Sequence, residues 1–129
     1  MRCGWGVIRW RSVLQKYLFG TLMDWSRVEV EAIVADYLQM LTLELAGQTY
    51  SKTKHRLELL QKLRDRSEPS IEFKHCNISA AMIDLGFPYI RGYKPRSNYQ
   101  ALLVTVAAEQ VRGKTTLITL LLLRFSSLQ

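Results

Sequence analysis

The stretch WSRVEVEAIVADYLQMLTLELAG, residues 25–47, decides the fold class. Ser26-Arg27-Val28-Glu29 reads as a capping box, in which the serine hydroxyl accepts a first-turn amide and the glutamate reaches back to the Ser26 amide. Trp25 stands just before the cap, placed to pack on Val30 as a hydrophobic staple. Val30, Ile33, Val34, Tyr37, Leu38, Leu41 and Leu45 then recur at helical spacing. Gly47 supplies a stop. A helix carrying such a stripe must bury it, and the chain on its C-terminal side offers further helices to bury it against.

Ser51 or Thr49 caps a second helix, roughly 51–64, with Leu57, Leu60 and Leu63 inward and Lys52, Lys54, His55, Arg56, Lys62 and Arg64 on its other faces. Arg66-Ser67-Glu68-Pro69-Ser70 is a turn followed by a helix start. Ser67 caps, and Pro69 is tolerated because a first-turn amide has no helical partner to lose. This third helix runs to Leu85 and stops at Gly86, with Ile71, Ile78, Met82 and Leu85 as its core stripe. Phe73, Asn77, Ala80 and Asp84 fall on the opposite face. Residues 87–96 form a loop rich in aromatic and basic side chains. Ser97-x-x-Gln100 reads as another capping box, opening a fourth helix that ends near Gly113 with Tyr99, Leu102, Leu103 and Val106 inward. The apolar run from Leu117 to Leu123 is far short of the roughly 20 residues a membrane span needs, and reads as a buried helix, a strand or a loose tail. The expected fold is therefore all-α: a compact bundle of about four helices over 24–112 with a helix-turn-helix-like unit. An irregular basic extension precedes it at 1–22, and an apolar C-terminal tail follows at 113–129.

A chain of 129 residues is one domain's worth of sequence. With 48% hydrophobic and 22% charged residues it has the balance of a folded protein. Its two cysteines, Cys3 and Cys76, show neither metal nor redox spacing, which points away from a disulfide framework and toward a reducing cytoplasm. The extension 1–22 lacks the apolar core of a signal peptide, since Arg9, Arg11 and Lys16 interrupt it. It reads as an upstream addition, with Met23 marking the start of the body. The net charge of +7 suggests an anionic partner. That charge is unevenly spread: residues 1–23 carry +4, 24–47 carry −4, 48–66 carry +4, 67–86 carry −2, 87–112 carry +3 and 113–129 carry +2. Alternation of this kind allows a folded body with one basic and one acidic face.

No complete catalytic set emerges. Gly113-Lys114-Thr115 imitates the end of a phosphate-cradling loop, but Ala108 stands where that pattern needs glycine and a helix, not a strand, leads in. Glu72-Phe73-Lys74 has the acid-x-Lys spacing of metal-dependent nucleases, with Asp65 or Asp84 as the second carboxylate. The surrounding helical period makes it an ordinary helix turn. His55, His75 and Cys76 have no partner at ligand or nucleophile spacing. No cofactor or small-molecule substrate is indicated, and no metal ligands.

Binding is the remaining class. Lys52, Lys54, Arg56, Arg64 and Arg66 are expected to meet phosphates. Arg66 and Ser67 would hold one phosphate at the third helix's N-terminus. Ser70, Lys74 and Asn77 would face the bases, asparagine being suited to adenine. Arg91, Tyr93, Lys94 and Arg96 would clamp the backbone or stack on unpaired bases. The competing class is a protein-interaction module that docks a nuclease or other effector through its acidic first helix and apolar ends.

Over residues 24–103 the chain resembles the N-terminal helical domain of bacterial proteins related to HNH-type and other restriction endonucleases, many known only as domains of unknown function. Trp25-Ser26-Arg27, Glu29-Val30-Glu31, Val34-Ala35-Asp36-Tyr37, Glu44-Leu45-Ala46-Gly47, Arg66-Ser67 and Ser70-Ile71-Glu72-Phe73-Lys74-His75 carry the resemblance. Its sharpest parts are Asn77-Ile78-Ser79-Ala80, Leu85-Gly86, Pro88-Tyr89-Ile90 and Gly92-Tyr93-Lys94-Pro95-Arg96-Ser97-Asn98-Tyr99-Gln100. The resemblance implies a non-catalytic DNA-binding or targeting module. It imports no active site, because in such relatives the nuclease part lies downstream and no His-Asn-His set is present here. Residues 1–22 and the tail after about Val111 do not share it, as in a truncated member.

Overall fold

Ser26 opens the first helix as the patterning predicts: its Oγ accepts the Glu29 N–H at 3.3 Å, and Glu29 Oε1 accepts the Ser26 N–H at 3.0 Å. The structure, a computed structural model, describes residues 24–127, and the basic extension expected at 1–22 lies outside them. Helix α1 is Arg27–Leu45. Gly47 ends it at φ +73°, a left-handed conformation that costs glycine little. Helix α2 is Lys52–Lys62, with Ser51 Oγ accepting the Lys54 N–H at 3.2 Å. Helix α3 is Glu68–Asp84, and a second left-handed glycine, Gly86 at φ +80°, follows it. Helices α4, Ala101–Arg112, and α5, Thr115–Ser127, complete the order. The described residues are thus all-helical, with five helices where about four were expected.

Helix α1 is the hub. It packs on all four other helices, while α3 also meets α2 and α4, and α4 meets α5. Its stripe enters the core as predicted, joined by Met40, which the pattern leaves out. Trp25 and Val30 are both buried in the same cluster. The inward face of α2 differs from the expectation: Leu57 is exposed, Leu59 and Leu63 are buried, and Leu60 is half-buried. Both Leu57/Leu60 and Leu59/Leu63 satisfy helical spacing. The way α2 lies on α1 and α3 selects the second pair.

The expected capping box at Ser97 does not form. Helix α4 starts only at Ala101, and its N-cap residue Gln100 makes no side-chain cap bond. The Gln100 amide instead donates to the Trp25 carbonyl at 3.1 Å, tying the loop before α4 to the chain just ahead of α1. The apolar run near the C-terminus forms α5. Leu117 and Leu121, one turn apart, join the core while Leu122 and Leu123 stay exposed. No helix among the described residues is long and apolar enough to cross a membrane.

The largest departure concerns α3. Its predicted stripe of Ile71, Ile78 and Met82 is buried, but so are Lys74, His75, Asn77, Ser79, Ala80 and Ala81. A helix packed against α1, α2 and α4 buries more than one face. The 85–100 loop adds to its cover, as the Arg96 N–H donates to the Cys76 carbonyl at 3.1 Å. Tyr37 of α1 reaches into this layer. Its hydroxyl lies 2.7 Å from Ser79 Oγ and accepts the Ile90 N–H at 2.9 Å. Burial pushes the Tyr37 phenol up to about 12. Tyr37→Phe strands both partners away from water and is expected to cost about 2 kcal/mol of stability. Urea unfolding measures this, and a loss under about 0.5 kcal/mol would show that the hydroxyl does not hold the loop.

Candidate nucleic-acid interface

The thirteen residues expected to contact DNA fall into three groups. The first is enclosed. Asn77 is 4% exposed, Lys74 7% and Tyr93 3%, so none presents a side chain to a groove or to an incoming base stack. This corrects the reading of α3 as a recognition helix, because its predicted outer face is covered by other parts of the chain. Tyr93 is also reassigned: its ring stacks on His75 at 4.6 Å between centroids, and Lys52 Nζ sits 4.1 Å over it.

The second group is occupied with folding. Ser67 Oγ accepts the Ser70 N–H at 3.3 Å, Ser70 Oγ accepts the Ser67 N–H at 3.1 Å, and the Ile71 N–H goes to the Ser67 carbonyl at 3.1 Å. Pro69 has no N–H to offer. The first turn of α3 is left with the Glu68 amide, beside a carboxylate, and the expected phosphate seat there is lost. Arg66 makes a two-point pair with Glu29, Nε to Oε2 at 2.7 Å and Nη2 to Oε1 at 2.9 Å, and donates to the Asp24 carbonyl at 3.1 Å. Its guanidinium lies 4.8 Å over the Trp25 ring. Arg66 is a clamp between the α2–α3 turn and the start of α1.

The third group is on the surface. Lys54, Arg64, Arg91, Lys94 and Arg96 are exposed, and Lys52 and Arg56 are half-buried. Lys52 Nζ donates to the Gly92 carbonyl at 3.0 Å, which joins the start of α2 to the loop bearing Arg91, Lys94 and Arg96. Arg96 lies 5.2 Å over the exposed Phe73 ring, and Arg56 Nη1 is 3.8 Å from Glu72 Oε2. One side of the molecule therefore gathers Lys52, Arg56 and the loop cations, with Glu72 as the acid among them.

Beneath this face is a polar cluster that sequence spacing does not reveal. His55 Nδ1 meets Asp36 Oδ1 at 2.6 Å, and His75 Nε2 is 3.5 Å from Asp36 Oδ2. The chain of contacts runs from Asp36 through His75 and Tyr93 to Lys52, linking α1, α3, the loop and α2. The three residues sit 19 and 20 positions apart, and each lies on a different helix, so no motif search pairs them. His75 is fully buried, beyond reach of a substrate. Burial pushes the Cys76 thiol up, away from the reactive thiolate. Among the described residues, no group of three His, Cys, Asp or Glu side chains is arranged to hold a metal ion.

The acid-x-Lys pair separates. Two helix positions differ by about 200°, and Glu72 is exposed beside Arg56 while Lys74 is buried near the Trp25 ring. That geometry removes the metal-dependent nuclease alternative built on Glu72 and Lys74. Gly113 closes α4 in a right-handed conformation directly before α5, with no strand ahead of it, so the phosphate-loop imitation also ends there. The acids of α1 are spoken for internally: Glu29 by Arg66, Glu31 by Arg27, Asp36 by His55 and Glu44 by Tyr50. Compared with family models, with curated proteins and with solved structures, the chain finds no match in any of the three.

Proposed function

We propose that this chain is a non-catalytic DNA-binding module that grips the sugar-phosphate backbone through the α2–loop face. The observation that supports this reading is the Lys52–Gly92 bond, which brings α2 beside the loop carrying Arg91, Lys94 and Arg96. Backbone contacts position a protein on nucleic acid without reading its sequence. With Asn77 and Lys74 enclosed, the module is expected to show little sequence preference. The likeness to nuclease-associated N-terminal domains agrees with this role.

The test is the triple variant Arg91→Glu, Lys94→Glu, Arg96→Glu. All three side chains are exposed, so the fold tolerates the change. Affinity for duplex DNA, measured by retardation or anisotropy across a salt series, is expected to fall by orders of magnitude. The slope of log K against log salt should flatten by about 0.9 for each phosphate that the variant no longer neutralises. An unchanged shift and slope would reject the proposed face.

A second reading, docking of a protein effector, draws on one specific feature. Phe87, Pro88, Ile118, Leu121 and Leu122 line an apolar groove of about 590 Å³ between the turn after α3 and α5. That reading expects no DNA shift at any salt concentration, together with weakened capture of a partner nuclease on Leu122→Asp.

A further inference from the structure

Phe73 belongs to two features at once. Arg96 of the basic loop lies over its ring, and its exposed side also walls a cleft of about 500 Å³ with Trp25, Pro69, Lys74 and Asn77. The cleft's polar groups are unusual for a packed core. Asn77 is 4% exposed and its Oδ1 has no hydrogen-bond partner, a situation that costs about 1–3 kcal/mol unless something else satisfies it. Lys74 is equally enclosed. Its Nζ reaches Gln100 Oε1 only at 3.5 Å and otherwise lies 5.2 Å over the Trp25 ring. Burial, with Arg66 nearby, lowers the Lys74 pKa, so its ammonium is poorly stabilised by the protein alone. A buried acceptor and a buried donor therefore face one apolar-walled space, each short of a partner.

We infer that this cleft holds one unstacked nucleobase of the bound DNA, its ring against Phe73, an N–H donated to Asn77 Oδ1 and an acceptor presented to Lys74 Nζ. The chemistry fits the class and not one member of it. Every base carries a donor beside an acceptor on its pairing edge, and every base has a face that stacks on an aromatic ring. Arg96, over the same phenyl ring, stands where the adjoining phosphate would pass. This inference rests on the DNA-binding reading and adds to it a preference for strands whose bases are free to turn outward. It also gives Phe73, an exposed aromatic on a helix otherwise packed inward, a role that folding does not.

The experiment compares two fluorescently labelled oligonucleotides of equal length by anisotropy: a single strand bearing bases, and the same sugar-phosphate chain with every base removed. Base-bearing DNA is expected to bind about tenfold more tightly, or about 1.4 kcal/mol, within the range seen for one base on an aromatic side chain. Phe73→Ala is expected to abolish that difference while leaving affinity for the base-free chain unchanged. Because Phe73 is exposed, the variant should fold, and circular dichroism checks this. Equal binding of the two strands by the wild type, with salt-dependent affinity intact, overturns the cleft assignment and leaves the backbone reading standing. Binding of neither strand, nor of duplex, overturns both.

Discussion

Arg66→Ala should lower the free energy of unfolding by about 2–3 kcal/mol, below the roughly 3–5 kcal/mol of a fully enclosed pair because both side chains keep some water contact. The variant removes both bonds to Glu29, the bond to the Asp24 carbonyl and the cation over Trp25, and it leaves the Glu29 carboxylate half-buried without its guanidinium. The bond to Arg66 is the main reason Glu29 is held down to about 2 from an ordinary 4.5. A carboxylate with a depressed folded-state pKa stabilises the fold above its unfolded value and loses that contribution as pH falls toward its folded value. Wild-type stability should therefore decline between about pH 4.5 and pH 2 from this pair. In Arg66→Ala that part of the acid limb should largely disappear. Urea midpoints measured at half-unit steps across the window decide the matter; parallel curves for the two proteins would mean that Glu29 is not titrating against Arg66.

Asp36→Ala is the second large effect, also about 2–3 kcal/mol. The carboxylate bonds His55 at 2.6 Å and lies 3.5 Å from His75, whose ring is otherwise without a hydrogen-bond partner. Deletion leaves two half- or fully buried imidazoles facing a void. Asp36→Asn keeps the shape, accepts from His55 through its carbonyl and can donate to His75 Nε2 through its amide, so about half the loss should return. Because His75 stacks on Tyr93 and Tyr93 carries Lys52, Asp36→Ala should also loosen the loop, seen as faster amide exchange at Ile90 to Tyr93. A destabilisation confined to α1 and α2, with loop exchange unchanged, would break the proposed link.

These expectations come from contacts between helices, which is where reading along the chain loses its grip. The Ser26 and Ser67 caps were legible because a cap is written within four residues. The Ser97 cap had an equally good local pattern and failed, because Gln100 found Trp25, 75 positions away. The burial of Ile71, Ile78 and Met82 followed from period, whereas that of Lys74, His75 and Asn77 did not. Polar residues on the far side of a stripe read as surface until a second layer covers them. The same blindness scattered the proposed interface. Arg91, Lys94 and Arg96 were correctly placed on a surface loop, but Arg66 and Tyr93 proved to be structural.

By itself the sequence determined the helical class, most helix ends and the buried stripe of α1, since period, capping side chains and stop glycines act over a single turn or two. Only the tertiary structure decided that α3 lies enclosed, that Asp36, His55 and His75 converge, and that α2 meets the loop through Lys52 and Gly92. Those outcomes depend on which faces of separate helices end up opposed. That is settled by burying apolar area across the whole molecule, a quantity no local stretch of residues contains.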